Sequence, residues 1–368
     1  MRTQRLWLVL TVLLVAFGAL APAASADRAF TSRFAQMARG DVTIAANTVM
    51  TCPGNAAACT QGKAGTGSSI NNQDFAMAYV DADADATTFD SSSATMTLPA
   101  GATVLFAGLY WGADTSAGGS GVAAPAAASR GVVKLKPPGG SYSTVTASTL
   151  DTDVARATRY QGFADVTSQV QAGGSGSYTV GNVQAGTGTD RYGGWALVVA
   201  YRDANLAVNW VSVYDGFGST GFGGGNAATD VTLNGFQTPV SGTVSATLGM
   251  VSYEGELGYT GETTTLNGTN LTDALHPAGN YFNSSITKLG SHVTTKNPNY
   301  VNQLGFDANL MNVDGFLPSG SSSATVHLAS SLDMFVPGVM TLVTDQVATA
   351  PSNATAPTIS GNVQDGQT

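Results

Sequence analysis

Apolar residues along this chain come in short runs, each closed by Gly, Asn, Asp or Pro, and beyond residue 40 no long segment keeps helical spacing. That pattern commits the chain to strands. Val42, Ile44 and Ala46 alternate with polar residues, the period of a strand covered on one face. Thr103–Trp111 is apolar on both faces, and Val132–Lys136 alternates until Pro137-Pro138-Gly139-Gly140 stops it. Tyr178–Val180, Trp195–Tyr201, Trp210–Tyr214, Val231–Leu233, Val244–Tyr253, Ala324–Leu328 and Val339–Val343 repeat the theme. Many short strands between turn signals predict an antiparallel β-sandwich. Asn234-Gly235 and Asn267-Gly268 are the positive-φ pairs of tight hairpins. Only Phe30–Arg39 has the spacing of one short helical turn.

A chain of 368 residues has room for two domains. The polar dip at Arg202–Asn209 divides it, and the expectation is an all-β protein of two antiparallel, jelly-roll-like β-sandwich domains in tandem, residues 30–202 and 208–345. One elaborated sandwich is the alternative. Residues 346–368 begin with a linker rich in Ala, Thr and Pro, and Ile359–Gly366 reads as the opening strand of a further β repeat.

Residues 1–26 read as a signal peptide. Arg2 and Arg5 give the positive start, Leu6–Leu20 the apolar stretch and Ala24-Ser25-Ala26 the cleavage signal, so cleavage is expected between Ala26 and Asp27. No later stretch approaches the ~20 apolar residues of a membrane helix, so the mature chain is expected to lack a membrane span and to be secreted or held at the cell surface. The net charge of −9 leaves no basic footprint for nucleic acid. Export into an oxidising compartment makes Cys52 and Cys59, with Pro53-Gly54 between them, a candidate disulfide.

Two acidic groups are candidate sites. In Asp81-Ala-Asp-Ala-Asp85 a strand begun at Phe75 would bring Asp81, Asp83 and Asp85 to one face, with no Lys or Arg nearby in sequence and Asp90 within reach if the chain turns back. Glu254, Glu256 and Glu262 form the second group, with Gly between them. Carboxylates so placed suit Ca²⁺, which takes several oxygen ligands; a solvated acidic loop is the competing reading for both groups. For Glu254 and Glu256, the paired carboxylates of glycoside hydrolysis are a third reading. Gly-x-Ser-x-Gly and His-Glu-x-x-His motifs are absent, and His276, His292 and His327 show no ligand spacing. Gly221–Gly225 lacks the Lys-Ser/Thr of a phosphate loop. Trp111, Trp195 and Trp210 lie in strong strand runs, where core packing is favoured over sugar stacking.

Several motifs in order carry a family resemblance. They are Asn71-Asn72, Tyr79–Asp81, Phe89–Thr95, Ala107–Gly112, Asp190–Val199, Tyr214–Phe217 and Tyr253–Glu256. Over residues 30–345 the chain resembles the N-terminal head region of large exported bacterial surface proteins that carry Ig-like conserved repeats of unknown function. The resemblance implies a cell-surface or extracellular β protein and supplies no activity. That group has Asp where this chain has Glu256 and Glu262. Phe163–Val170 followed by Gly176–Val180 is similar to a short segment of sugar-binding jelly rolls. The combined expectation is a non-enzymatic structural, adhesion or interaction module whose partner is an extracellular protein or glycan. The alternative is a carbohydrate-binding module or glycan-directed hydrolase using the acidic loops.

Overall fold

The computed structural model describes residues 27–54 and 56–347; the expected signal peptide with Ala26, and residues 348–368, lie outside the described residues. Strands dominate, and nearly all pairings are antiparallel; Ile286–Lys288 runs parallel to Phe306–Asn312. The largest ladder has 12 strands. Its centre runs Phe306–Asn312, Ala246–Tyr253, Met334–Asp345, Val208–Phe217, Arg28–Thr48, Gly193–Arg202, Thr103–Asp114, Arg159–Asp165.

The joint in this ladder is Arg28–Thr48. Its first half, through Arg39, pairs with Val208–Phe217, and from Gly40 onward it pairs with Gly193–Arg202. One strand thus belongs to two sheets. Gly40 sits at the changeover, where a Cβ would lie 2.4 Å from the Tyr201 carbonyl oxygen, so only glycine allows this approach. The helical turn expected at Phe30–Arg39 is therefore strand. The i,i+4 spacing of Phe30 and Phe34 suggested a helix, but hydrogen bonding to the distant Val208–Phe217 strand decides the matter.

The two sheets pack face to face through Val42, Phe106, Tyr110, Val198, Val213 and Phe306, among others. A five-stranded sheet that includes Ser91–Met96, Gly176–Gly181 and Val132–Lys136 covers the outside of one. A four-stranded sheet that includes Ala228–Asn234, Ser323–Ser330 and Glu262–Leu266 covers the outside of the other. Middle-layer strands are buried on both faces, which is why Thr103–Trp111 is apolar throughout: Leu109 and Trp111 face one core, Phe106 and Tyr110 the other.

Asn267 and Gly268, both at positive φ, join Glu262–Leu266 to Thr269–Asn270 as a tight hairpin. Asn234-Gly235 does not form one; Ala228–Asn234 pairs instead with Ser323–Ser330, and Gly235 passes against the Trp210 ring. Among the described residues two short α-helices interrupt the strands, Ala57–Lys63 and Thr167–Gly173, the second lying in sequence between Arg159–Asp165 and Gly176–Gly181. Cys52 and Cys59 are bonded and buried at the entry to the first helix. A loop this short adds about 2 kcal/mol, which fixes a local turn rather than the fold. Among the described residues no helix is long and apolar enough to cross a membrane.

Candidate acidic cleft

The site forms where strand ends from both halves meet. Ala246–Tyr253 ends at Glu254, whose φ of +75° is rare for a residue with a side chain. Its N–H donates to the Gly305 carbonyl at 2.8 Å. Gly255 follows because a Cβ there would lie 2.4 Å from the Phe282 carbonyl oxygen and 2.5 Å from Asp307 Oδ2. The turn seats Glu254 and Glu256 in the wall of an open cavity of about 310 Å³. Asp333 joins them at the start of Met334–Asp345, and Asp190 and Arg159 complete the charged lining. The rim carries Phe222, 71% exposed, and Leu332, 58% exposed. The Phe222 N–H donates to the Asp333 carbonyl at 2.8 Å, which fixes the rim loop to the cleft floor.

The three carboxyls are nearly buried, with 6%, 2% and 6% exposure for Glu254, Glu256 and Asp333. Glu256 Oε1 accepts the Asn72 N–H at 3.1 Å. The Gln73 amide, turned with its NH₂ toward Glu256, donates to both carboxylate oxygens at 2.8 and 2.7 Å and accepts from the Tyr259 hydroxyl. Asp333 Oδ1 accepts the Met334 N–H at 2.8 Å, while its Oδ2 is buried without a partner. Among the described residues the Glu254 carboxyl accepts no hydrogen bond and forms no ion pair. Arg159, the cation of the lining, donates to Asp153 at 3.1 Å.

Burial without compensation raises the affinity of these groups for protons. Desolvation, reinforced by the Glu256 charge, holds Glu254 well above the ordinary carboxyl range. Burial, with the charges of Asp333 and Asp190 behind it, pushes Glu256 up to about 9. Burial pushes Asp333 up to about 7. Around neutral pH Glu254 and Glu256 therefore favour their protonated forms. Such groups can exchange hydrogen bonds with hydroxyls, deliver a proton or yield their protons to a cation.

Glu262, grouped with this pair by sequence, faces elsewhere. Its Oε2 accepts the Tyr281 and Phe282 N–H groups at 2.7 and 2.9 Å, and its Oε1 is buried without a partner. Sequence reasoning missed Asp333, a lone acid just before a strand, and Arg159, the first residue of another. Asp190 opens one of the quoted motifs, which was the available signal.

The Asp81–Asp85 segment departs from its expected form. The strand there is only Ala78–Tyr79, a single bridge joins Asp81 to Ser91, and the rest is turn. Asp81 and Asp83 share the Ser91 hydroxyl at 3.0 and 3.2 Å, and Asp85 accepts from the Thr87 N–H and hydroxyl. Tyr142 donates to Asp83 at 2.7 Å, and Lys136 stands 3.8 Å away, a cation invisible from sequence proximity. Asp90 does return beside this turn through the Asp81–Ser91 bridge, but it is fully buried and accepts the Val183 N–H. Among the described residues no three His, Cys, Asp or Glu side chains already converge as a metal site.

His276 is also buried. Asp273 lies 2.8 Å from its Nδ1, and Ser285 and Thr287 lie 3.3 and 3.2 Å from its Nε2. The order resembles a nucleophile relay, but the Ser285 N–H, the usual oxyanion donor, is bonded to Asp307. The cluster reads as a polar post tying its loop to the sheet.

No curated protein matches this chain. Among solved structures, the crystal structure of the major capsid protein P2 from Bacteriophage PM2 aligns over 70% of this chain and 94% of that one, at 11% identity and a TM-score of 0.18, too low to define a shared fold. The family described as "Protein of unknown function (DUF3344)" matches residues 62–326, well over half of the sequence, and the chain belongs to that family.

Proposed function

We propose that this protein is a non-enzymatic extracellular head module that binds a glycan in the Glu254–Glu256–Asp333 cleft. On this reading it is exported by its N-terminal signal, and its tandem sandwiches form the head of a surface protein with Ig-like repeats. The observation that carries the glycan assignment is the pairing of under-satisfied carboxyls with an exposed Phe222 ring at one open mouth. Sugars offer hydroxyls that both donate and accept, and apolar C–H faces that pack on a ring. A few convergent polar groups beside an aromatic suit that chemistry. The test is retention of the purified protein on a panel of insoluble polysaccharides. Retention should fall tenfold or more in Phe222→Ala and in the Glu254→Gln, Glu256→Gln double variant, with the fold intact by circular dichroism. Equal retention of these variants would overturn the assignment.

One observation favours a second reading. Glu256, held protonated near neutral pH beside Asp333, has the character of a general acid next to a carboxylate. Turnover on the same panel that disappears in Glu256→Gln would make the protein a glycan hydrolase; binding without turnover keeps it a module.

A further inference from the structure

We propose that the cleft also takes one divalent cation, Ca²⁺ outside the cell, bound by Glu254, Glu256 and Asp333. The proposal starts from what these side chains lack. Glu254 is 6% exposed, lines the cavity and has no hydrogen-bond or ion-pair partner among the described residues. Asp333, equally buried in the same wall, leaves Oδ2 unpartnered. A buried carboxylate costs several kcal/mol unless it is neutralised or hydrogen-bonded, and here two face one space. Arg159 in the same lining draws Glu254 toward its charged form but is shared with Asp153, and burial outweighs its pull.

The donor set selects the ion. Carboxylates surround the cavity, with a phenol and an amide behind them and no His or Cys among its lining residues. Carboxylate donors without His or Cys favour a hard cation over zinc or copper. The carboxyls do not yet converge as a metal cluster, so the ion must draw them together. Glu254 is the side chain best able to move, having no hydrogen bond to lose. Ca²⁺ tolerates irregular geometry and bond lengths, whereas Mg²⁺ demands a near-ideal octahedron. The Asp81–Asp85 turn is the poorer host: Ser91, Thr87, Tyr142 and Lys136 already engage its carboxylates.

The test uses the purified protein stripped with chelator. Calorimetric titration with CaCl₂ should show one ion per chain, and millimolar Ca²⁺ should raise the melting temperature by several degrees, since a ligand of the folded state alone stabilises it. Tb³⁺ should bind with luminescence sensitised by the nearby tyrosines, Tyr259 and Tyr192, and weakened in Tyr259→Phe. That readout does not require a carboxyl variant to fold. Glu254→Gln should weaken Ca²⁺ tenfold or more, while the Asp81→Asn, Asp83→Asn, Asp85→Asn variant should bind as before. Coincident melts with Ca²⁺ and with chelator, no heat of binding, or a Ca²⁺ response abolished by the triple variant and untouched by Glu254→Gln would each overturn the proposal. It does not rest on the glycan reading, which retention on polysaccharide in the presence of chelator tests alone.

Discussion

Trp111 and Trp195 stand directly opposite each other on neighbouring strands, and neither has exposed surface. Each indole N–H is satisfied inside the protein: Trp195 donates to the Ser92 hydroxyl at 2.8 Å and Trp111 to the Arg130 carbonyl at 2.9 Å. Gly162 completes the site, since a Cβ there would lie 2.5 Å from the Trp111 ring. These tryptophans pin the five-stranded sheet to the middle layer and leave no face for a sugar.

The first prediction follows from that packing. Trp111→Ala and Trp195→Ala should each destabilise the protein by about 3–5 kcal/mol, the usual cost of emptying so large a buried volume. Gly162→Ala should cost about 1–3 kcal/mol by overpacking. Urea unfolding followed by circular dichroism measures all three. A loss below 1 kcal/mol for either tryptophan would contradict a shared core.

A second prediction concerns the joint between the sheets. Asp215 is fully buried on Val208–Phe217 and receives two arginines of the strand that links the sheets. Arg28 reaches it at 3.0 Å and Arg33 at 2.7 Å, and Tyr110 from the facing sheet donates at 3.2 Å. Removing one partner of a buried ion pair strands the others. Asp215→Asn should cost roughly 3 kcal/mol, moderated because both arginines keep about a quarter of their side-chain surface in water. Thermal melts of wild type and variant give the answer; an unchanged midpoint would remove Asp215 from the joint.

The strands with dense apolar runs could be read from sequence because local alternation alone specifies a buried face. Asp215 shows where that stops. Its motif, Tyr214–Phe217, was visible, but its partners Arg28 and Arg33 lie in a segment whose local spacing favours a helical turn. Only pairing with a strand far along the chain makes that segment extended. The cleft divides in the same way. Glu254 and Glu256 were legible as a close acidic pair, whereas Asp333 is a single acid brought in by the antiparallel pairing of Ala246–Tyr253 with Met334–Asp345. The sequence grouping of Glu262 with that pair failed for the converse reason. Nearness along the chain does not set direction, and Glu262 turns toward the backbone of Tyr281 and Phe282.

Glu262 also yields the third prediction, on pH. Burial pushes it up to about 8, against the pull of the two N–H groups it accepts. In the unfolded chain a glutamate titrates near 4.3. Between those values the folded state binds more protons than the unfolded one, so stability falls as pH rises. The contribution is complete below about pH 4 and lost once pH has passed about 8. Glu256 and Asp333, raised for the same reason, add to the same slope. The metal-free protein should therefore unfold at lower urea concentration at pH 8.5 than at pH 5.5. Glu262→Gln should flatten part of that slope: its carbonyl can still accept from Tyr281 and Phe282, and its amide carries no titrating proton. Urea midpoints across this range, taken with chelator present, decide the matter. A stability that rises with pH, or a slope unchanged in Glu262→Gln, would show that this carboxyl is already ionised in the folded protein.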